Sequence, residues 1–94
     1  MRAVPLRSPT LADAPHRLDV RGALCPLPVL LSVREIRKVA PGALLEVWGD
    51  DPTMNEDMPI WCERSGHRLI EIGEIEGVPG SVRCLIERGQ PDRP

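Results

Sequence analysis

Arg21-Gly22-Ala23-Leu24-Cys25-Pro26-Leu27-Pro28 combines a nucleophile with unusual backbone constraints. Glycine turns the chain ahead of the cysteine, and two prolines follow it at the head of an apolar run. Proline fits the first turn of a helix, where its missing N–H would have no partner and its fixed φ is already helical. Pro26 therefore reads as the first helical residue and Cys25 as the N-cap. A thiol at that position faces unpaired backbone N–H groups and the positive end of the helix dipole, both of which favour the thiolate. The expectation is a reactive, solvent-exposed cysteine with its sulfur directed at free N–H groups.

The remaining chemistry-bearing residues narrow what such a thiol can do. Cys62 shares a helix face with Met58 and Trp61, and Cys84 alternates with Val82 and Ile86, so both read as core residues. Three cysteines at positions 25, 62 and 84 make no even disulfide framework. No pair of them has the close spacing of a zinc site, and His16 and His67 do not complete one. A hydrolytic nucleophile needs a base oriented by a third group, and no local signature pairs either histidine with Cys25. A redox dithiol needs a resolving cysteine, but Pro28 stands where a Cys-x-x-Cys pair has its second thiol. What remains is a lone thiolate suited to holding a group and passing it on. Sulfane sulfur fits, because a persulfide forms by thiolate attack on a sulfur donor and is released by attack from another thiol.

Positioning that thiol requires a small framework. The chain has 94 residues, 41% of them apolar, with no Phe or Tyr, so one modest core of Val, Leu and Ile is expected. The formal charge of -2 gives no global attraction to nucleic acid or acidic membranes. No apolar run is long enough to cross a bilayer, and the first 15 residues lack the apolar segment of a signal peptide, so a cytoplasmic location is expected. Residues 1–15, with Pro5, Pro9 and Pro15, read as a disordered Pro-rich leader, and 89–94 as a disordered tail. Between them lie a strand at 16–20, a helix from 26 to about 40 stopped by Pro41-Gly42, and a strand at 43–49. A second helix at about 55–65 is closed by Gly66, and two strands at 68–75 and 81–88 are joined by a turn at 76–80. In the first helix Val29, Val33, Ile36 and Ala40 define a buried stripe. Arg34, Arg37 and Lys38 near its end read as a solvated face. The order βαβαββ gives an α/β two-layer sandwich with both helices on one face of the sheet. The other face, carrying Glu46, Glu71, Arg83 and Glu87, meets solvent or a partner.

The segment Leu18-Asp19-Val20-Arg21-Gly22-Ala23-Leu24-Cys25-Pro26-Leu27-Pro28 strongly resembles the Cys-Pro-x-Pro signature of the TusA/SirA/YedF sulfur carriers. The likeness runs on through Pro41-Gly42, Leu45-Glu46-Val47, Asp50-Asp51-Pro52, Asp57-Met58-Pro59-Ile60, Ser65-Gly66-His67 and Leu85-Ile86-Glu87-Arg88, covering about residues 16–88. It implies a four-stranded mixed sheet of order 1-2-4-3, with the fourth strand antiparallel to its neighbours. It also implies a TusA-like, SirA-like sulfur carrier, with a persulfide on Cys25 taken from a cysteine desulfurase or rhodanese and relayed to an acceptor protein. The sulfur relay would serve tRNA thiolation, molybdenum cofactor assembly or sulfur oxidation. In this reading Asp19, Arg21 and Gly22 shape the loop, while Pro26 and Pro28 fix the helix start. The protein would act as a monomeric carrier beside sulfurtransferases rather than as an enzyme, with no cofactor and no membrane attachment.

A reading from another class is a regulatory or nucleic-acid-binding or protein-binding module of the same fold. Against nucleic acid stand the net charge, the two Trp as sole aromatics, and the stretch from Glu46 to Asp57 with five carboxylates and no base. Backbone binding needs clustered Lys and Arg. Loss of Cys25 alone separates the readings, since a binding module tolerates serine there.

Overall fold

The computed structural model describes residues 14–89, so most of the expected leader (1–13) and tail (90–94) lies outside the described residues. Six elements follow in the order βαβαββ: β1 (His16–Asp19), α1 (Leu27–Ile36), β2 (Leu44–Gly49), α2 (Met54–Ser65), β3 (Arg68–Ile75) and β4 (Val78–Glu87). The sheet order is β1-β2-β4-β3. β1 runs parallel to β2, and β4 is antiparallel to both β2 and β3. This is the expected mixed sheet.

Strand alternation builds the core. Leu45 and Val47 of β2 are fully buried and lie opposite Ile86 and Cys84 of β4, which are equally buried. Ile36 of α1 and Met54, Met58 and Cys62 of α2 close over these residues, with Val20, Val39 and Val82 at the margins. Both helices therefore cover one sheet face. Val20, at the end of β1, donates its N–H to Trp48 O at 2.7 Å, which ties the chain leading to Cys25 to the end of β2.

Some boundaries and buried faces differ from expectation. α1 begins at Leu27 and ends at Ile36, short of 40. Its buried stripe is Pro28, Ser32 and Ile36, continued by Val39, while Val29 and Val33 are half-buried and Ala40 is exposed. A hydrophobicity pattern misses this face because Ser32 occupies its middle. The hydroxyl is made compatible with burial by donating to Pro28 O at 2.7 Å. On α2, Met54, Met58 and Cys62 are buried, but Trp61 is half-buried and Ser65 exposed. β4 starts at Val78 rather than 81, because Ile75 pairs with Val78 and only Glu76-Gly77 makes the turn, with Gly77 at φ 79°.

The opposite sheet face is not simply solvated. Glu46 is only 7% exposed and receives hydrogen bonds from both Arg17 and Arg83, and Arg83 continues to Glu71. Burial alone would raise the Glu46 carboxyl, but the Arg83 guanidinium, with Trp48 and Arg17, brings it below the usual carboxylate range. Arg17 also lies over the Trp48 ring at 4.1 Å. Of the bases expected at the end of α1, Arg34 lies in its last turn, Arg37 caps it, and Lys38, just beyond, pairs with Glu35 at 3.2 Å.

Candidate functional site: the Cys25 loop

Two loops at the same end of the sheet build the site. The first, between β1 and α1, is shaped by Asp19, Arg21 and Gly22. Asp19 accepts from the Arg21 backbone N–H and from its guanidinium at 2.9 and 2.6 Å, folding the side chain back over the turn. The same bonds hold the Asp19 carboxyl down at about 2, so this clamp stays ionised well into acid. Gly22 then takes φ +92°, a conformation that side chains with a Cβ rarely adopt. Ala23 returns its N–H to Val20 O at 3.0 Å.

The second loop, between β2 and α2, supplies the acceptors that hold the first in place. Asp50 Oδ1 accepts from Gly22 N at 3.0 Å, and Asp51 Oδ2 from Cys25 N at 2.6 Å. Asp51 Oδ1 also takes the Thr53 N–H at 3.0 Å, so one carboxylate binds its own helix start and the Cys25 loop together. These backbone bonds, Thr53 first and Cys25 second, pull the Asp51 carboxyl below its ordinary range. Gly49 lets the end of β2 lie close against the start of α2, since an added Cβ there would collide with the Met54 side chain. Among the residues expected to matter, Pro26 caps α1 and Pro28 is buried in its first turn. Asp50, Asp51 and Asp57 were not singled out as site residues. The signals for them in the sequence were the turn chemistry of Asp50-Asp51-Pro52-Thr53 and, for all three, a place in the segments that carry the family likeness.

Cys25 is exposed, and Cys62 and Cys84 are buried. The expected N-cap arrangement is not present. Helix geometry starts one residue later than expected, so Pro26 occupies the cap and Cys25 lies outside the helix. Its sulfur meets a carboxylate instead of free N–H groups, with Sγ donating to Asp57 Oδ2 at 3.4 Å. That hydrogen bond, helped by partial desolvation, raises the Cys25 thiol above its ordinary value, and the Thr53 hydroxyl offsets only part of the rise. The thiolate is disfavoured in the free protein, opposite to the dipole argument.

Reactivity among the three cysteines is still decided by access and by burial. Desolvation pushes Cys62 up to about 11 and Cys84 up to about 12. At pH 8 a thiol at about 11 is only roughly one part in a thousand ionised. Iodoacetamide should therefore modify Cys25 well before the other two in the native protein, read by peptide mass mapping. Equal rates at the three sites would contradict the burial pattern.

Among the described residues, Asp57 is the only carboxylate or imidazole in hydrogen-bond contact with the thiol. His16 is paired with Glu35 on the β1 edge. His67, past the end of α2, accepts from Gly89 N at 3.0 Å through Nδ1. No cluster of three or more His, Cys, Asp or Glu side chains is placed to hold a metal ion among the described residues. Leu24 on the Cys25 loop, Leu27 and Leu30 on α1 and Ile60 on α2 are exposed. The arrangement can present one accessible sulfur to another protein.

Removing Asp51 should loosen this presentation. Asp51→Ala deletes the acceptor of both the Cys25 and Thr53 N–H groups, whereas Asp50→Ala deletes only that of Gly22. The Asp51 variant should show the greater loss of amide exchange protection at Cys25. Unchanged protection at Cys25 would remove Asp51 from the account.

A β1-β2-β4-β3 sheet under two helices, with a Cys-Pro-x-Pro loop at its end, makes this an α/β two-layer sandwich that presents one thiol. The crystal structure of a SirA-like protein from Desulfitobacterium hafniense matches it with a TM-score of 0.65 at 20% identity, over 79% of this chain and 97% of that one. At that identity the likeness speaks for the fold. The chain belongs to the TusA sulfurtransferase family, whose model matches residues 16–88. A relative from Thermotoga maritima named "Putative sulfur carrier protein" is 41% identical over 58 residues, covering 62% of this chain and 73% of its own length.

Proposed function

We propose that this protein is a sulfur carrier whose 16–88 domain accepts sulfane sulfur as a persulfide on Cys25 and relays it to an acceptor protein. The observation that carries the reading is the single exposed thiol, set on a Cys-Pro-x-Pro loop, while both other cysteines are sealed in the core. Family membership and the name of the Thermotoga relative support the same role.

The transfer follows from thiol chemistry. Cys25 Sγ attacks the outer sulfur of a persulfide on a donor cysteine. The new S–S bond uses the electron pair of Cys25, and the old S–S pair leaves with the donor sulfur. The proton lost by Cys25 ends on the departing donor thiolate or in solvent, and no net oxidation occurs. An acceptor thiolate then repeats the attack on the outer sulfur now held by Cys25. Donor and acceptor supply the other thiols, so the carrier needs no base, metal or organic cofactor of its own.

The supporting residues have mechanical roles in this proposal. The Asp19–Arg21 clamp and the Gly22 turn fix the loop, and Pro26 and Pro28 fix the start of α1 behind it. Leu24, at 69% exposure, with Leu27, Leu30 and Ile60, supplies apolar area for donor and acceptor proteins. A cysteine desulfurase or rhodanese is the expected donor class. The proposed carrier works in the cytoplasm.

Mixed with a cysteine desulfurase and free cysteine, the full chain should gain the mass of one sulfur atom, removable by dithiothreitol. A chain that takes no sulfur from desulfurase or rhodanese donors would favour a binding module instead.

A further inference from the structure

The carboxylate beside the reactive sulfur has no role in the transfer described above. Asp57 stands in the first turn of α2, half-buried, with Oδ2 3.4 Å from Cys25 Sγ. A thiol can donate a hydrogen bond to it, but a thiolate cannot, and would face a like charge instead. We infer that Asp57 is a latch on Cys25: it holds the thiol proton in the free carrier and yields it when a cationic side chain of a docked partner claims the carboxylate. This deepens the carrier reading and rests on it, since only a thiol that exchanges sulfur with chosen partners needs such control.

Two further observations point the same way. First, no cation of the described residues pairs with Asp57. Arg17 and Arg83 serve Glu46, Arg21 serves Asp19, Arg68 serves Glu87, and Lys38 serves Glu35. Second, Asp57 lines an open groove of about 330 Å³ with Pro26, Val29, Ile60, Trp61 and Arg64. A lysine or arginine from a protein seated on that groove can reach the carboxylate, with an apolar wall for its stem.

The groups acting on the thiol come from few places. α2 contributes Asp57, and the loop ahead of it contributes Asp51 and Thr53. Asp51 spends its oxygens on the Thr53 and Cys25 N–H groups. α1 adds no charged group to this set. Arg64, on α2, lines the groove but makes no ion pair with Asp57. Asp57 is thus the charge that decides the state of the sulfur. When a partner's cation neutralises it, Sγ–H loses its best acceptor and the thiolate loses its nearest like charge. The proton passes to solvent or to the departing donor thiolate, so ionisation and attack coincide with docking.

The test is the pH dependence of iodoacetamide modification at Cys25, resolved by peptide mass, in the full chain and in Asp57→Asn and Asp57→Lys. The latch predicts titration midpoints that fall in the order parent, Asp57→Asn, Asp57→Lys. Near neutral pH, Asp57→Asn should react about tenfold faster than the parent. Continued protection of Cys62 and Cys84 in the same digests reports that each variant is folded. Asp57→Ser replaces Asp57→Lys should the latter unfold. Coincident midpoints, or a slower Asp57→Asn, would overturn the latch. Sulfur loading from a desulfurase, run on the same samples, separates the two ideas. A parent that loads while midpoints coincide keeps the carrier and loses the latch. Ordered midpoints in a parent that never loads keep the effect on the thiol and remove the carrier.

Discussion

Cys25→Ser should abolish sulfur loading completely, with no mass gain from any persulfide donor, while Cys62→Ser and Cys84→Ser still load. The expected effect is this large because the sulfur itself is the reacting atom and nothing nearby can replace it. A serine hydroxyl at neutral pH is a far weaker nucleophile than a thiol and forms no persulfide. The alternative thiols cannot substitute, since Cys62 is 2% exposed and Cys84 fully buried. Serine at either buried site introduces a hydroxyl among Met58, Val47 and Ile86, so both variants should be less stable without losing the loop. Intact mass after incubation with donor reads the first effect, and urea unfolding the second. Loading of Cys25→Ser at the parental level would detach the function from this residue.

Leu45→Ala should be the most damaging of the conservative core truncations. Leu45, the second residue of β2, is fully buried opposite Ile86 and inside the cluster closed by Ile36 and the α2 methionines. Truncating a buried leucine costs about 2–5 kcal/mol through lost transfer energy and the cavity left behind. Small domains have about 5–15 kcal/mol in total, so the variant should be partly unfolded at physiological temperature. β2 leads directly into the loop of Asp50 and Asp51, and the Cys25 loop should lose its anchors with it. Urea midpoints and the rate of Cys62 modification would both report the change. A loss well under 1 kcal/mol would mean that the sheet is not the frame the fold implies.

The framework was legible where sequence period and burial coincide, in the alternation of β4 and in the Met54, Met58 and Cys62 face of α2. β3 runs over the expected residues, and the Pro41-Gly42 and Gly66 breakers fall after their helices. α2 closes with His67 N–H on Cys62 O and Gly66 N–H on Glu63 O, the return that a C-terminal glycine encodes. The buried face of α1 was less legible. Ser32 and Pro28 carry it, and neither scores as a core residue until the Ser32–Pro28 hydrogen bond is seen.

At the site, the motif pointed to Cys25 and the local chain could not give its surroundings. Position within the helix start suggested a lowered thiol, since the dipole argument uses only residues adjacent in sequence. The group that reverses it, Asp57, is 32 residues away, and its approach depends on how α2 crosses the end of the sheet. Asp50 and Asp51 are legible as turn formers, but not as acceptors for the backbone of Gly22 and Cys25. In both cases the missing term is a long-range contact between two loops.

If sulfur travels on Cys25, mass mapping of the loaded protein locates it there. Native protein is loaded by a desulfurase with cysteine, capped by iodoacetamide without reductant, digested and mapped by mass. The account predicts one extra sulfur atom between Cys25 and its cap, absent after dithiothreitol, with the Cys62 and Cys84 peptides unchanged. An extra sulfur on Cys62 or Cys84, or on no peptide at all, would contradict it.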